Sequence, residues 1–258
     1  RRARQEVAAW GAVASRDERA AGTERAHVAA RTGQLRARAD LLRRVRAFFD
    51  GQDFLEVETP LVVPSPGLDV HLDAMRVQQR KGERYLITSP EYQMKRLLAG
   101  GLTRIYQICK CFRNDELGER HQPEFTMLEW YRAEAGIEAV MQDTEVLVAE
   151  LARALAPAVE ARGPARAQEP QAAAILRTAW GPVDVTPPWQ RLTMREAFAR
   201  FCDVSMEEAL QDEERFYRLL IDRIEPGLAA LGAVFLSEWP ASMASLARKK
   251  PGDESVAE

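Results

Sequence analysis

Residues 106–131, YQICKCFRNDELGERHQPEFTMLEWY, decide how the rest of the chain is read. The stretch has the pattern of a strand, a polar loop and a returning strand. Side chains alternate across a strand with period two, so Gln107, Cys109, Cys111 and Arg113 fall on one face and Ile108, Lys110 and Phe112 on the other. The returning strand sets Phe125, Met127, Glu129 and Tyr131 on one face and Thr126, Leu128 and Trp130 on the opposite one. Such a hairpin aims a guanidinium, a flat ring and a carboxylate into one cleft, a combination suited to a nucleotide beside a small cation.

Working upstream, Ser89 can cap a helix with Pro90 at its first position, and Gly100 and Gly101 stop it. Glu91 falls in the first turn, where it complements the helix dipole or faces a ligand. Residues 70–77 and 84–88 predict two strands around a Lys81-Gly82 turn. Residues 54–63 alternate as one strand with Leu55, Val57, Thr59 and Leu61 on one face, and Pro60 assigns part of it to an edge or an interface. Before it, Leu41, Leu42, Val45, Phe48 and Phe49 recur at helical spacing after Asp40, an N-cap candidate, which gives an amphipathic helix ending near Gly51. Residues 1–40 hold nine Arg and five acidic residues amid Ala, the pattern of a flexible or loosely helical arm. The acidic residues argue against a transit peptide.

Downstream, residues 138–155 predict a helix burying Val140, Leu147, Val148 and Leu151. Six of the fourteen prolines lie between Pro157 and Pro188, so the stretch of about 156–191 is expected to be an exposed insertion with little regular structure. A capped helix over 193–201, a longer one over 206–224 stopped by Pro226 and Gly227, and a buried strand over 233–239 follow. Lys249 and Lys250 read as a solvated tail.

The chain has 258 residues, 46% hydrophobic and 29% charged, with a net charge of −3, so there is room for a sizeable core and no global attraction for nucleic acid. Three cysteines, at 109, 111 and 202, make neither a disulfide framework nor a paired zinc motif; Cys109 and Cys111 are expected to pack within the sheet, and a reducing, cytoplasmic setting fits. No apolar run reaches the roughly 18 residues of a membrane span.

Phe112-Arg113-Asn114-Asp115-Glu116, a loop, then His121, Phe125 and Glu129 resemble motif 2 of the class II aminoacyl-tRNA synthetases, and the segment from Phe48 to Pro60 resembles their motif 1. SPEYQMKRLL, PEFTMLEWYR and PASMASLA are similar to the lysine-specific branch, most of all to its stand-alone paralogues that attach (R)-β-lysine to a lysine of elongation factor P. The resemblance implies an α+β catalytic domain over 41–258, an antiparallel sheet flanked by helices, and a homodimer formed through 41–60. It implies adenylation of lysine or (R)-β-lysine with ATP and Mg2+, then transfer to elongation factor P, with tRNA not expected as a partner. Arg113 would act on the α-phosphate; Asn114, Asp115, Gln122 and Phe125 would line the ATP site with it; Ser89, Pro90, Glu91, Glu129 and Tyr131 would hold the amino acid.

Those residue types suit the chemistry. Carboxylate attack on the α-phosphorus gathers negative charge on phosphate oxygens, and a fixed guanidinium offers permanently protonated donors to it. Two carboxylates and a phenol can hold a substrate ammonium. On pattern alone, Glu129 and Tyr131 could equally form a solvated strand face. The chain departs from the family at Asp115, where Glu is usual, and in showing neither the Gly-rich strand and helix-borne Arg of motif 3 nor the acidic pair that holds Mg2+. Alternatives are therefore a truncated lysyl-tRNA synthetase acting on tRNA and a non-catalytic binding or regulatory paralogue.

Overall fold

The computed structural model describes residues 2–67, 72–80, 82–114, 117–118, 121–155, 173–244 and 246–258. It divides into two units, Arg1–Ala47 and Phe48–Glu258.

The first unit is helical. Helix α1 runs over Arg2–Asp50 without a break, its last three residues belonging to the second unit. The arm is thus helical, and Asp40 does not start a separate helix as expected. Ala, Arg and Glu favour helix intrinsically. Asp40 sits mid-helix and accepts hydrogen bonds from Arg44 at 2.8 Å and Arg43 at 3.3 Å. The Arg44 bond holds the Asp40 carboxyl below its ordinary value. Residues 28–39 are exposed, so intrinsic propensity rather than burial accounts for this part of the helix.

In the second unit, β1 (Leu55–Glu56) and β2 (Val62–Val63) replace the single strand expected over 54–63. Pro60 lies between them and has no N–H to give to a ladder. A hairpin of β3 (Arg76–Gln79) and β4 (Gly82–Leu86) follows, and β2 adds antiparallel to β4. Helix α2 (Glu91–Ala99) begins one residue later than expected and ends at Gly100, with Gly101 turning away at φ 103°. Next come β5 (Arg104–Phe112) and β6 (Glu124–Arg132), antiparallel over nine residues, with β1 parallel to β5 on the other side.

Helix α3 (Ile137–Leu155) buries Met141, Leu147, Ala149 and Ala152, but also Asp143 and Glu145. Of the four residues expected on its buried side, Val140, Val148 and Leu151 are half-buried. The two carboxylates are tolerated inside because they are paired. Arg132 donates to both oxygens of Asp143, each at 2.6 Å, and Trp189 N–H donates to Glu145 at 2.9 Å.

Residues 156–172 of the Pro-rich stretch lie outside the described residues. The remainder carries more regular structure than expected: β7 (Ile175–Thr178) and β8 (Gly181–Asp184) form a hairpin, and β9 (Gln190–Thr193) pairs parallel with β10 (Val234–Ser237). Gly181, at φ 119°, and a bond from Thr178 Oγ1 to its carbonyl close the hairpin turn.

Helix α4 (Met194–Phe201) opens with a reciprocal capping box between Thr193 and Glu196. The long helix expected over 206–224 is instead α5 (Met206–Ala209), α6 (Glu213–Leu219) and a π-helical turn, Leu220–Ile224. Asp212 makes the break by capping a new start, accepting from Arg215 N–H at 3.2 Å. Pro226 and Gly227 do not stop the chain but lie within α7 (Glu225–Ala229). Pro226 follows directly on the π-helical turn, and a Cβ on Gly227 would come within 2.4 Å of Phe201 Cδ1. Glycine therefore serves close packing there. Met194, Phe198, Phe216, Ile224 and Val256 centre the core of this region.

The charged end is ordered, with β13 (Asp253–Ala257) between β11 (Trp239–Pro240) and β12 (Lys249–Lys250). Lys250, expected in a solvated tail, pairs with Glu238. Arg195 on α4 reaches Glu207 at 2.5 Å, Asp253 at 2.6 Å and Ser255 at 2.7 Å, tying β13 to α4. The unit is mixed α+β.

Candidate active site

The β5–β6 register sets Gln107 opposite Glu129, Cys109 opposite Met127 and Cys111 opposite Phe125. Alternation then gives the hairpin two unlike faces. On one, fully buried Tyr106 lies opposite Trp130, and Phe49 stacks on Tyr106 with ring centres 4.7 Å apart. Tyr106 donates to Asp50 at 3.1 Å and to Glu56 at 3.2 Å. Burial, then the Asp50 bond and the two negative charges, push its phenol far above the ordinary range. Arg132, at the end of β6, also reaches Gln52 at 2.9 Å and stands 4.8 Å over the Phe54 ring. Apolar stacking and a buried ion pair thus hold the hairpin from behind.

The other face is polar towards α2. Ser89 is the joint: its hydroxyl accepts from Glu91 N–H at 3.0 Å and donates to Glu129 Oε1 at 2.5 Å. Tyr131 donates to Glu129 Oε2 at 2.7 Å. Both oxygens of one carboxylate are therefore fixed, each by a charge-assisted bond worth about 1.5–3 kcal/mol. Pro90 is buried, while Glu91 is half-buried and its Oε1 takes Lys95 Nζ at 2.6 Å. Glu91, Glu129 and Tyr131, with Leu128, Trp130 and Val140, line a cleft of about 330 Å³. Burial, then Glu129, then the charge of Glu91, raise the Tyr131 phenol well above its ordinary value, so it stays a donor.

The residues expected at the nucleotide are less uniformly placed. Arg113 leaves β5 with its N–H bonded to Pro123 O at 2.9 Å, and its guanidinium stands 5.1 Å from the centre of the Phe125 ring. Asn114 is engaged by Asp73: its amide reaches the Asp73 carboxylate, and its backbone N–H the Asp73 carbonyl, each at 2.8 Å. Gln122 is exposed just before β6. Asp115 lies outside the described residues. Cys109 and Cys111 place their sulfurs 3.9 Å apart; a bond from Cys111 lowers the Cys109 thiol, and the same contact with burial raises Cys111. Thr59 fixes buried Gln107 at 3.1 Å.

Among the described residues, no group of three or more His, Cys, Asp and Glu side chains stands together as a metal site, so no residue is assigned to Mg2+. Nor, among them, is any helix long and apolar enough to cross a membrane.

Sequence reasoning passed over Lys95, Asp73 and the Arg132–Asp143 pair. Lys95 was open to inspection, standing four residues after Glu91 on one helix face. The other two are joined across loops and leave no local signal.

Residues 20–258, which include this hairpin, match the family model of tRNA synthetases class II (D, K and N). The chain belongs to that family, one of ATP-dependent aminoacyl ligases. It is 36% identical over 232 residues to the elongation factor P–(R)-β-lysine ligase of Vibrio cholerae, covering 87% of this chain and 68% of the relative. To the ligase of the same name from Vibrio atlanticus it is 34% identical over 237 residues, covering 89% and 70%.

Proposed function

We propose that this protein activates lysine or (R)-β-lysine with ATP as an acyl adenylate and transfers the acyl group to a lysine of elongation factor P. The observation that carries the substrate class is the pair of carboxylates, Glu91 and Glu129, in one cleft, with Ser89 and Tyr131 fixing both oxygens of Glu129. Such a set favours a primary ammonium over a neutral or acidic side chain. The names of the similar ligases favour elongation factor P as acceptor.

In the first step the substrate carboxylate attacks the α-phosphorus, forming the acyl–phosphate bond as pyrophosphate leaves. Arg113 moves from the Phe125 ring to the α-phosphate oxygens and offers its donors to the developing charge, and the freed ring stacks on adenine. Asn114, Asp115 and Gln122 line the nucleotide, Asn114 with its position set through Asp73. Pro90 shapes the start of α2 beside Glu91. The acceptor amine then attacks the acyl carbon and releases AMP. Two copies associate through residues 41–60, where Leu55 is an exposed apolar residue.

The test is mass spectrometry of elongation factor P incubated with the protein, ATP, tRNA-Lys and either amino acid. An added lysyl mass on one lysine is expected; unmodified elongation factor P beside charged tRNA-Lys would overturn the acceptor assignment.

A further inference from the structure

We infer that Lys95 sets the charge of the cleft, so that it selects a diamino acid carrying one net positive charge over a diamine carrying two. The inference rests on the proposal that the cleft is the amino-acid site.

Lys95 lies one turn after Glu91 on α2, with Nζ 2.6 Å from Glu91 Oε1. Glu–Lys pairs at this spacing are common on helix surfaces and usually add only a few tenths of a kcal/mol to helix stability. This one differs because its carboxylate also lines the cleft. Two carboxylates, Glu91 and Glu129, line the cleft, and one of them is already paired with an ammonium that belongs to the protein but is not itself a lining group. The cleft is left with a single negative charge.

Lysine and β-lysine each carry two ammonium groups and one carboxylate at neutral pH, a net charge of one. The cleft opposes that charge with an equal one. A diamine of the same length keeps both ammonium groups and lacks the carboxylate, and so is repelled more strongly by the Lys95 ammonium paired with Glu91. Coulomb energy scales with the ligand's charge, so removing Lys95 favours the dication more than the monocation. The Lys95 side chain is 42% exposed and that of Glu91 31%, so water screens the interaction and the discrimination is on the order of tenfold.

The test is calorimetric titration of the purified protein with lysine and with 1,5-diaminopentane, using wild type, Lys95→Met and Lys95→Arg. Wild type is expected to prefer lysine. In Lys95→Met the ratio of the two affinities should shift towards the diamine by roughly tenfold, and Lys95→Arg should return it to the wild-type value. A loss of helix packing alone would weaken both ligands together and leave the ratio unmoved. An unchanged ratio, with lysine still bound, overturns the role of Lys95 alone. Wild type binding neither ligand overturns the cleft assignment and this inference with it. Lys95→Gln removes the same charge, so if Lys95→Met fails to fold it must show the same shift.

Discussion

Ser89 and Glu129 lie 40 residues apart in sequence and share a hydrogen bond of 2.5 Å. Because the same hydroxyl also accepts from Glu91 N–H, the start of α2 and the middle of β6 are held at one fixed spacing. One serine thus holds the Glu129 carboxylate and the backbone that carries Glu91.

Ser89→Ala should therefore raise KM for lysine or β-lysine tenfold or more, since a charge-assisted bond worth about 1.5–3 kcal/mol is lost. Steady-state adenylation with varied amino acid and saturating ATP checks it. An unchanged KM would mean that Tyr131 alone positions Glu129.

Arg113→Ala should lower the adenylation rate by about a hundredfold, the usual effect of removing one donor to the transition state. KM for the amino acid should move little, because Arg113 stands at Phe125 rather than among the residues lining the cleft. Single-turnover formation of the adenylate separates the two effects.

Asp143→Ala should cost about 3–5 kcal/mol of folding stability, because it leaves the Arg132 guanidinium, whose side chain is 14% exposed, without its buried partner. Urea denaturation followed by tryptophan fluorescence measures it. A loss below about 1 kcal/mol would put the pair in the class of surface ion pairs.

Asp253 gives a pH prediction. Bonds from Ser255 and then Arg195 lower its carboxyl from an ordinary value of 3.8 to about 2. A depressed carboxyl stabilises the fold fully above its unfolded value and ceases to do so as pH falls through its folded one. Wild type should thus lose part of its stability between pH 4 and pH 2, and Asp253→Asn should lose less over that window. Thermal unfolding at several pH values shows whether the two curves converge.

The hairpin was legible in the sequence because both its strands alternate cleanly, and the observed register pairs the faces that the alternation sets out. Helix α2 was legible from Ser89 and its terminal glycines. Elsewhere, local signals met competition from tertiary contacts. Pro226 and Gly227 have the composition of a stop, yet the Phe201 ring needs a residue without Cβ at position 227. Asp143 and Glu145 read as solvated helix positions, and only partners on other elements make their burial tolerable. Ser89, Glu91, Glu129 and Tyr131, singled out from their motifs, come together in space, whereas the contact between Asn114 and Asp73 joins residues 41 positions apart. Lys95 was hidden in plain view, because a Glu–Lys pair on a helix has an ordinary structural explanation.

ATP–pyrophosphate exchange by the purified protein, measured across a panel of amino acids, shows whether this cleft activates a lysine-type amino acid. Exchange should depend on lysine or (R)-β-lysine and exceed that with aspartate, asparagine and norleucine, and Glu129→Gln should abolish it. No lysine-dependent exchange, or equal exchange with norleucine, would contradict this assignment.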